Sequence, residues 1–158
     1  MIKIIAASDN HGYLDPIQEI LQSNNNADYY LHMGDVCCDP KLISPFVAVR
    51  GNNDYHYDLP EYRVIEIDDK NRVFMTHSHQ YVFNKEKLIE EAKENNCNII
   101  LFGHTHTYTD KEIDGIKMIN PGSCLYNRDH SKPCYAEITI DDNNTITSKR
   151  INLTSYFY

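Results

Sequence analysis

One pattern constrains this chain more than any other. Short apolar runs recur along it, and each stops on a cluster of side chains that handle metals or protons. Ile2 to Ala7 runs into Ser8-Asp9-Asn10-His11-Gly12, Tyr29 to Met33 into Gly34-Asp35, and Phe46 to Arg50 into Gly51-Asn52-Asn53-Asp54. Arg72 to Met75 runs into Thr76-His77-Ser78-His79, and Asn98 to Phe102 into Gly103-His104-Thr105-His106. Apolar runs of this length read as strands buried on both faces, and ligands of open α/β sheets bind outside the carboxyl ends of such strands. If the strands align, one rim gathers carboxylates, an amide and several imidazoles.

Taken singly, each cluster has a plain structural account. Asp9 and Asp35 could cap helices, Gly51-Asn52-Asn53-Asp54 could be a turn, and His77 and His79 could be surface loop residues. Asp9 and His11 lie two apart and share a face on an extended segment, as do His104 and His106. The joint occurrence of all five clusters at strand ends is what favours a metal site.

Between these runs, Leu14-Asp15-Pro16 reads as a staple residue, an N-cap and a first-turn proline, opening a helix to about Ser23. Lys85 to Asn95 reads as a second helix, with Leu88, Ile89 and Ala92 facing inward. Arg63 to Ile67 pairs with Arg72 to Met75 as a hairpin. Asp114-Gly115 marks another, between Lys111-Glu112-Ile113 and Ile116 to Ile119. Tyr135 to Ile140 and Thr145 to Ile151 form the last, and Thr154 to Tyr158 could pack or fray. Strands alternating with helices and followed by hairpins imply mixed sheets in an α/β architecture, and 158 residues make one domain over 1–158.

Composition sets the remaining bounds. Net charge −8 disfavours a general binder of nucleic acid or acidic membranes. No run is long enough to span a bilayer, and no signal-peptide pattern opens the chain, so a cytoplasmic location is expected. The five cysteines show no C-x-x-C spacing, which points to reduced thiols rather than a disulfide framework. Oxygen and nitrogen donors without thiolates suit a borderline divalent metal: manganese first, with Fe, Zn, Ni and Co as alternatives. The donors exceed the needs of one ion, so two ions sharing a carboxylate are expected. Such a pair can deprotonate a water held between them and stabilise in-line displacement at phosphorus.

The ordered set Asp9-x-His11, Gly34-Asp35, Gly51-Asn52-x-Asp54, His77-x-His79 and Gly103-His104-x-His106 resembles the calcineurin-like metallophosphoesterases. With Asn120-Pro121-Gly122-Ser123 and the short chain, it is most similar to their small prokaryotic, YfcE-type phosphodiesterase branch. The resemblance implies a four-layer α/β/β/α sandwich of two mixed sheets, and a phosphodiesterase that uses a hydroxide held between two metals. It further implies that Asp9, His11 and His106 hold one metal, that Asn52, His77 and His104 hold the other, and that Asp35 bridges. His79 is then substrate-facing or supports a ligand.

Two departures from the family pattern stand out. Where many members carry a histidine after the ligand asparagine, this chain has Asn53, which cannot act as a general acid. Either the leaving group needs little protonation, or His56 or His79 substitutes; Asp35, Asn53 and His79 are the catalytic candidates. The acid often found three residues after the bridging aspartate falls on Cys38, with Asp39 one position late. Arg50 is expected to pair with Asp54 or contact phosphate, and Asn10 to touch a phosphate oxygen. The expected partner is a small phosphoester in an open, shallow site, with no stable nucleic-acid or membrane binding; homo-oligomerisation stays open. The alternative is a non-catalytic, metal-containing scaffold, because a retromer subunit shares the fold and works through protein contacts. A metal-dependent amidohydrolase is excluded, since its barrel needs a longer chain and places His-x-His first.

Overall fold

The structure, a computed structural model, describes residues 1–82 and 84–154. Ten strands are found: β1 (Ile2–Ala7), β2 (Tyr29–His32), β3 (Val47–Ala48), β4 (Tyr62–Glu66), β5 (Arg72–Thr76), β6 (Ile99–Leu101), β7 (Thr109–Ile113), β8 (Ile116–Asn120), β9 (Cys134–Ile140) and β10 (Ile146–Asn152). Two α-helices join them, α1 (Asp15–Ser23) and α2 (Lys85–Glu94). The strands form two five-stranded sheets, in the orders β10-β9-β1-β2-β3 and β4-β5-β6-β8-β7. Both are mixed. In the first, β1, β2 and β3 run parallel and β9 antiparallel; in the second, β5, β6 and β8 run parallel and the edge strands antiparallel.

Alternation along the central strands explains why their runs are uninterruptedly apolar. On β1, Ile4 and Ala6 pack between the sheets, while Ile5 and Ala7 pack outward against Ile17 and Ile20 of α1. On β5 and β6, Val73, Met75, Ile99 and Leu101 face the other sheet, while Phe74 and Ile100 face Leu88, Ile89 and Ala92 of α2. Each strand side thus has a partner layer, and the result is the expected α/β/β/α sandwich. Fully burying one such aliphatic side chain is worth about 1.5–3 kcal/mol, so the inter-sheet layer and the two sheet–helix layers all stabilise the fold.

Several local expectations are adjusted. The helix α1 begins one residue early: Leu14 occupies the cap position with no side-chain hydrogen bond, and Asp15 lies in the first turn. There its carboxylate still meets the positive end of the helix dipole. The strand expected over Phe46 to Arg50 shrinks to β3, because the Arg50 N–H leaves the ladder to donate to the Pro60 carbonyl at 2.8 Å. Two short 3-10 turns, Pro40–Ile43 and His79–Tyr81, were not anticipated; Asp39 caps the first, accepting from the Lys41 N–H at 3.0 Å. At the C-terminal end, Thr154 packs against Glu19 through its N–H and hydroxyl at 2.8 and 3.0 Å. The rest of the segment expected to pack or fray, 155–158, lies outside the described residues.

Register places the site. Ala7 pairs with His32, and His32 with Ala48, so Asp9, Asp35 and Asn52 leave the first sheet along one rim. Met75 pairs with Leu101, so His77 and His104 leave the second sheet side by side, joined where the Gly103 N–H donates to the His77 carbonyl at 3.2 Å.

Candidate metal centre

The two rims meet over a buried carboxylate. Asp9 is wholly buried, and its Oδ1 accepts no hydrogen bond. Three imidazole Nε2 atoms face that oxygen instead: His106 at 3.4 Å, His77 at 3.8 Å and His11 at 3.9 Å. The other oxygen, Oδ2, is held by the Ser8 hydroxyl at 2.6 Å and the His104 N–H at 3.2 Å. A buried carboxylate oxygen left unpaired among imidazoles costs several kcal/mol unless a cation completes it.

Asp35 forms the second focus. Its Oδ2 lies 3.5 Å from His77 Nε2 and 3.8 Å from His11 Nε2. Asn53 donates twice to this carboxylate, from its backbone N–H to Oδ1 and its side-chain amide to Oδ2, both at 2.9 Å. Asn52 Oδ1 is placed between His77 Nε2 at 3.0 Å and His104 Nδ1 at 3.1 Å. The structure therefore brings together Asp9, His11, Asp35, Asn52, His77, His104 and His106. Within this set, Asp9 with His11 and His106, and Asp9 with Asp35 and His77, offer donor atoms close enough to share an ion. His79 stands beside them, its ring 5.5 Å from that of His77, with a buried Nδ1 that has no partner.

Ring orientation is fixed from behind. The Nδ1–H of His77 donates to the Met33 carbonyl at 2.7 Å, and that of His106 to the Tyr126 carbonyl at 3.0 Å. Each bond leaves an Nε2 lone pair directed into the cluster, the arrangement that orients metal-binding histidines. The electrostatics agree. Burial works to raise the Asp9 carboxyl, but the His106 contact and the His77 charge prevail and hold it below its ordinary value. Asp35 is likewise depressed against burial, by His77 and by Asn53. Burial lowers His11, against the pull of Asp9 and Asp35, and also lowers His79 and His104, with His77 adding to the effect on these two. Against burial, which lowers it, contact with Asp35 and the charges of Asp9 and Asp35 raise His77. Ionised carboxylates, an amide oxygen and imidazole nitrogens are a donor set that fits divalent cations.

The way these residues converge differs from the expectation. Asp9 and His11 do not share a face of an extended segment, and His104 and His106 do not point together. Asp9, His11, Asp35, His104 and His106 all adopt left-handed backbone conformations, with φ between 46° and 72°. Turning after each strand sends His106 toward Asp9 and His104 toward Asn52. Asp and His are among the residues that tolerate this region best, yet each instance costs about 1–3 kcal/mol. Cross-strand bonds hold the turns: the Asp9 N–H donates to Gly34 and the His11 N–H to Asp35, both at 3.0 Å.

Other expectations are corrected. Arg50 pairs with Glu61 at 3.7 Å rather than with Asp54. Asp54 is instead buried and accepts the N–H groups of Asp35, Gly51 and Cys37 at 2.8–2.9 Å, which pins the Asp35 loop to the Asn52 loop. Asn10 turns inward, away from any phosphate: it donates to the Tyr13 carbonyl at 3.0 Å and accepts from His32 Nε2 at 2.9 Å. His56 is exposed, its recorded ring contact being with Tyr55.

The supporting role of several residues was not legible in the sequence. His32 is buried inside β2, and burial pushes its pKa down to about 4, with Nδ1 accepting from the Gly34 N–H at 3.0 Å. Ser123 donates to the Asp9 carbonyl at 2.8 Å, and Asn120 donates to Gly103 at 3.1 Å. The Asn120-Pro121-Gly122-Ser123 stretch thus braces two ligand loops. The stretch counted toward the family resemblance, but the hydrogen bonds it makes to these loops left no trace in the sequence.

Two mixed sheets that gather carboxylates, an amide and imidazoles on a common rim define a metal-dependent phosphoesterase scaffold. The chain matches the calcineurin-like phosphoesterase superfamily domain over residues 2–143 and belongs to that family. A probable metallophosphoesterase of Mycoplasma pneumoniae is 31% identical over 148 residues, covering 89% of this chain and 91% of its own. The phosphodiesterase YfcE of Escherichia coli is 28% identical over 153 residues, covering 78% and 79%. Among solved structures, a predicted phosphoesterase from Streptococcus pneumoniae superposes with a TM-score of 0.83 at 28% identity, over 95% of this chain and 97% of that one. Vps29 of Entamoeba histolytica, solved with zinc, shares the fold at a TM-score of 0.74 and 21% identity, over 95% and 98%. The chain is a hydrolase of phosphoester bonds with a metal-binding site.

Proposed function

We propose that this protein is a phosphodiesterase working with two divalent ions, manganese foremost. Asp9, His11 and His106 would hold one ion, Asn52, His77 and His104 the other, and Asp35 would bridge. The observation that carries this reading is the unpaired, buried Asp9 Oδ1 surrounded by three imidazole nitrogens. When bound, the ions would supply Lewis acidity toward phosphate oxygens and an activated water.

The chain's own residues supply order. Asn53 fixes the Asp35 carboxylate with two hydrogen bonds and has no proton to give. His79, its pKa lowered by burial and by His77, stands beside the ligand set and would serve as a substrate contact. Such a site suits esters whose leaving group departs with little protonation, such as aryl or nucleotide esters. Five free cysteines support a reducing, cytoplasmic setting.

The test is a phosphoester panel on chelator-stripped protein, read with each of several divalent ions. Hydrolysis of bis(p-nitrophenyl) phosphate restored by Mn²⁺ is expected. Stoichiometric metal with no turnover of any ester would replace the reading with a non-catalytic, metal-containing scaffold.

A further inference from the structure

Beside the candidate centre lies a cleft of about 750 Å³, a size typical of small-ligand sites. His104 and Ser78 line one part of it, so it adjoins the place where a phosphoester would react. Its lining is partly apolar, from buried Leu88, Phe102 and Met118; Thr105, Thr107 and Thr109 lie beside them, with their hydroxyls donated to backbone carbonyls at 3.2–3.4 Å. Three cations, Lys85, Lys111 and Arg128, also face it; among the described lining residues Glu86 is the one acid.

These cations break the pattern of the surrounding surface. The chain carries net charge −8, and neighbouring lysines are neutralised: Lys117 pairs with Asp110 at 2.8 Å, and Lys93 with Asp114 at 3.7 Å. Among the described residues no ion pair is found for Lys85, Lys111 or Arg128. Lys85 even stands against Lys111, whose pKa it lowers. Two like charges facing each other in a cleft destabilise the empty protein and are relieved by an anion bound between them. The apolar side chains in the lining accommodate a flat apolar body beside that anion.

We propose that this cleft is a substrate subsite for a second phosphate: the preferred diester carries an apolar, planar body and a further phosphate at its end, as a terminally phosphorylated dinucleotide does. The inference deepens the phosphodiesterase reading and rests on it.

Its test does not depend on turnover. Thymidine dinucleotides joined by an uncharged methylphosphonate, with no terminal phosphate, a 5′-phosphate or a 3′-phosphate, are titrated into the Mn²⁺-treated full chain by calorimetry. At least one phosphorylated form should bind about tenfold or more tighter than the unphosphorylated one, the scale of one charge-assisted contact. Lys85→Gln with Lys111→Gln should bring the three to a common affinity, whereas Lys117→Gln on the same hairpin should keep the difference. Equal binding of all three by the unaltered chain overturns the subsite, as does an equal loss with Lys117→Gln. Inorganic phosphate that binds through Lys85 and Lys111 while a terminal phosphate adds nothing also overturns it, marking an anion site unconnected with substrate. Failure to hydrolyse bis(p-nitrophenyl) phosphate would instead strike the phosphodiesterase reading, and the two failures are told apart.

Discussion

The two halves of the candidate centre are built from different materials. Around Asp9, the donors are a buried carboxylate, the buried His106 and the half-buried His11. Around Asn52, they are an exposed neutral amide, the half-buried His104 and the buried His77, and the nearest carboxylate is the shared Asp35. One half has a buried carboxylate of its own; the other relies on an exposed amide. A cation gains more from a charged oxygen in a low-dielectric pocket than from an amide near water. The Asp9 half is therefore expected to hold an ion firmly, and the Asn52 half to exchange it, so that activity follows occupancy of the latter.

The severest challenge to this comparison is Asp35→Asn, since Asp35 is common to both halves. It should cut kcat by about a thousandfold, several kcal/mol of barrier, and weaken metal binding on both sides. Near-normal turnover would remove Asp35 as the bridge. Next come His106→Ala and His104→Ala. Each should lose one ion by metal analysis, His104→Ala at the lower chelator concentration, and the double variant should lose two. Loss of a single ion from the double variant would mean that both histidines serve one ion.

Acid should act through the Asp9 half. His32 is neutral when folded, with its pKa pushed by burial from 6.5 down to about 4, and it braces Asn10 between Asp9 and His11. The unfolded chain takes up this proton at higher pH than the folded one. The stabilisation is therefore complete above pH 6.5 and is lost as pH falls toward 4, an order of about 3 kcal/mol. Urea unfolding midpoints measured at pH 7 and pH 4.5 should show this loss, and His32→Gln should flatten it. The smallest effect is expected from Asn53→Ala, which removes one amide contact to Asp35 and should lower kcat about tenfold. An unchanged rate would show that the backbone N–H of Asn53 alone suffices.

Much of this arrangement was legible in the residues because hydrophobic burial leaves a strong signature. The double-sided burial of β1, β5 and β6 wrote itself as unbroken apolar runs, and the Asp114-Gly115 turn announced the hairpin of β7 and β8, with both residues at positive φ. The seven residues proposed as ligands lie together on the shared rim. What could not be read was direction: left-handed turns at Asp9, His11, Asp35, His104 and His106 depend on hydrogen bonds from distant strands, not on local spacing. The bracing residues were hidden for the same reason. Asp54 looked like a charge partner for Arg50, yet beside the local Gly51 N–H it accepts from Asp35 and Cys37, in a loop brought near only by the finished sheet.

Gly51 carries a consequence for how such a protein tolerates change. A Cβ placed there would lie 2.1 Å from Asp35 Oδ1 and 2.2 Å from the Asp35 N, too close for any rearrangement short of moving the carboxylate. In a saturation library selected for activity, codon 51 would therefore be purged as thoroughly as codon 35. A tolerance map alone would report a vital position with no side chain to explain it, and the explanation is the volume that the Asp35 carboxylate already occupies.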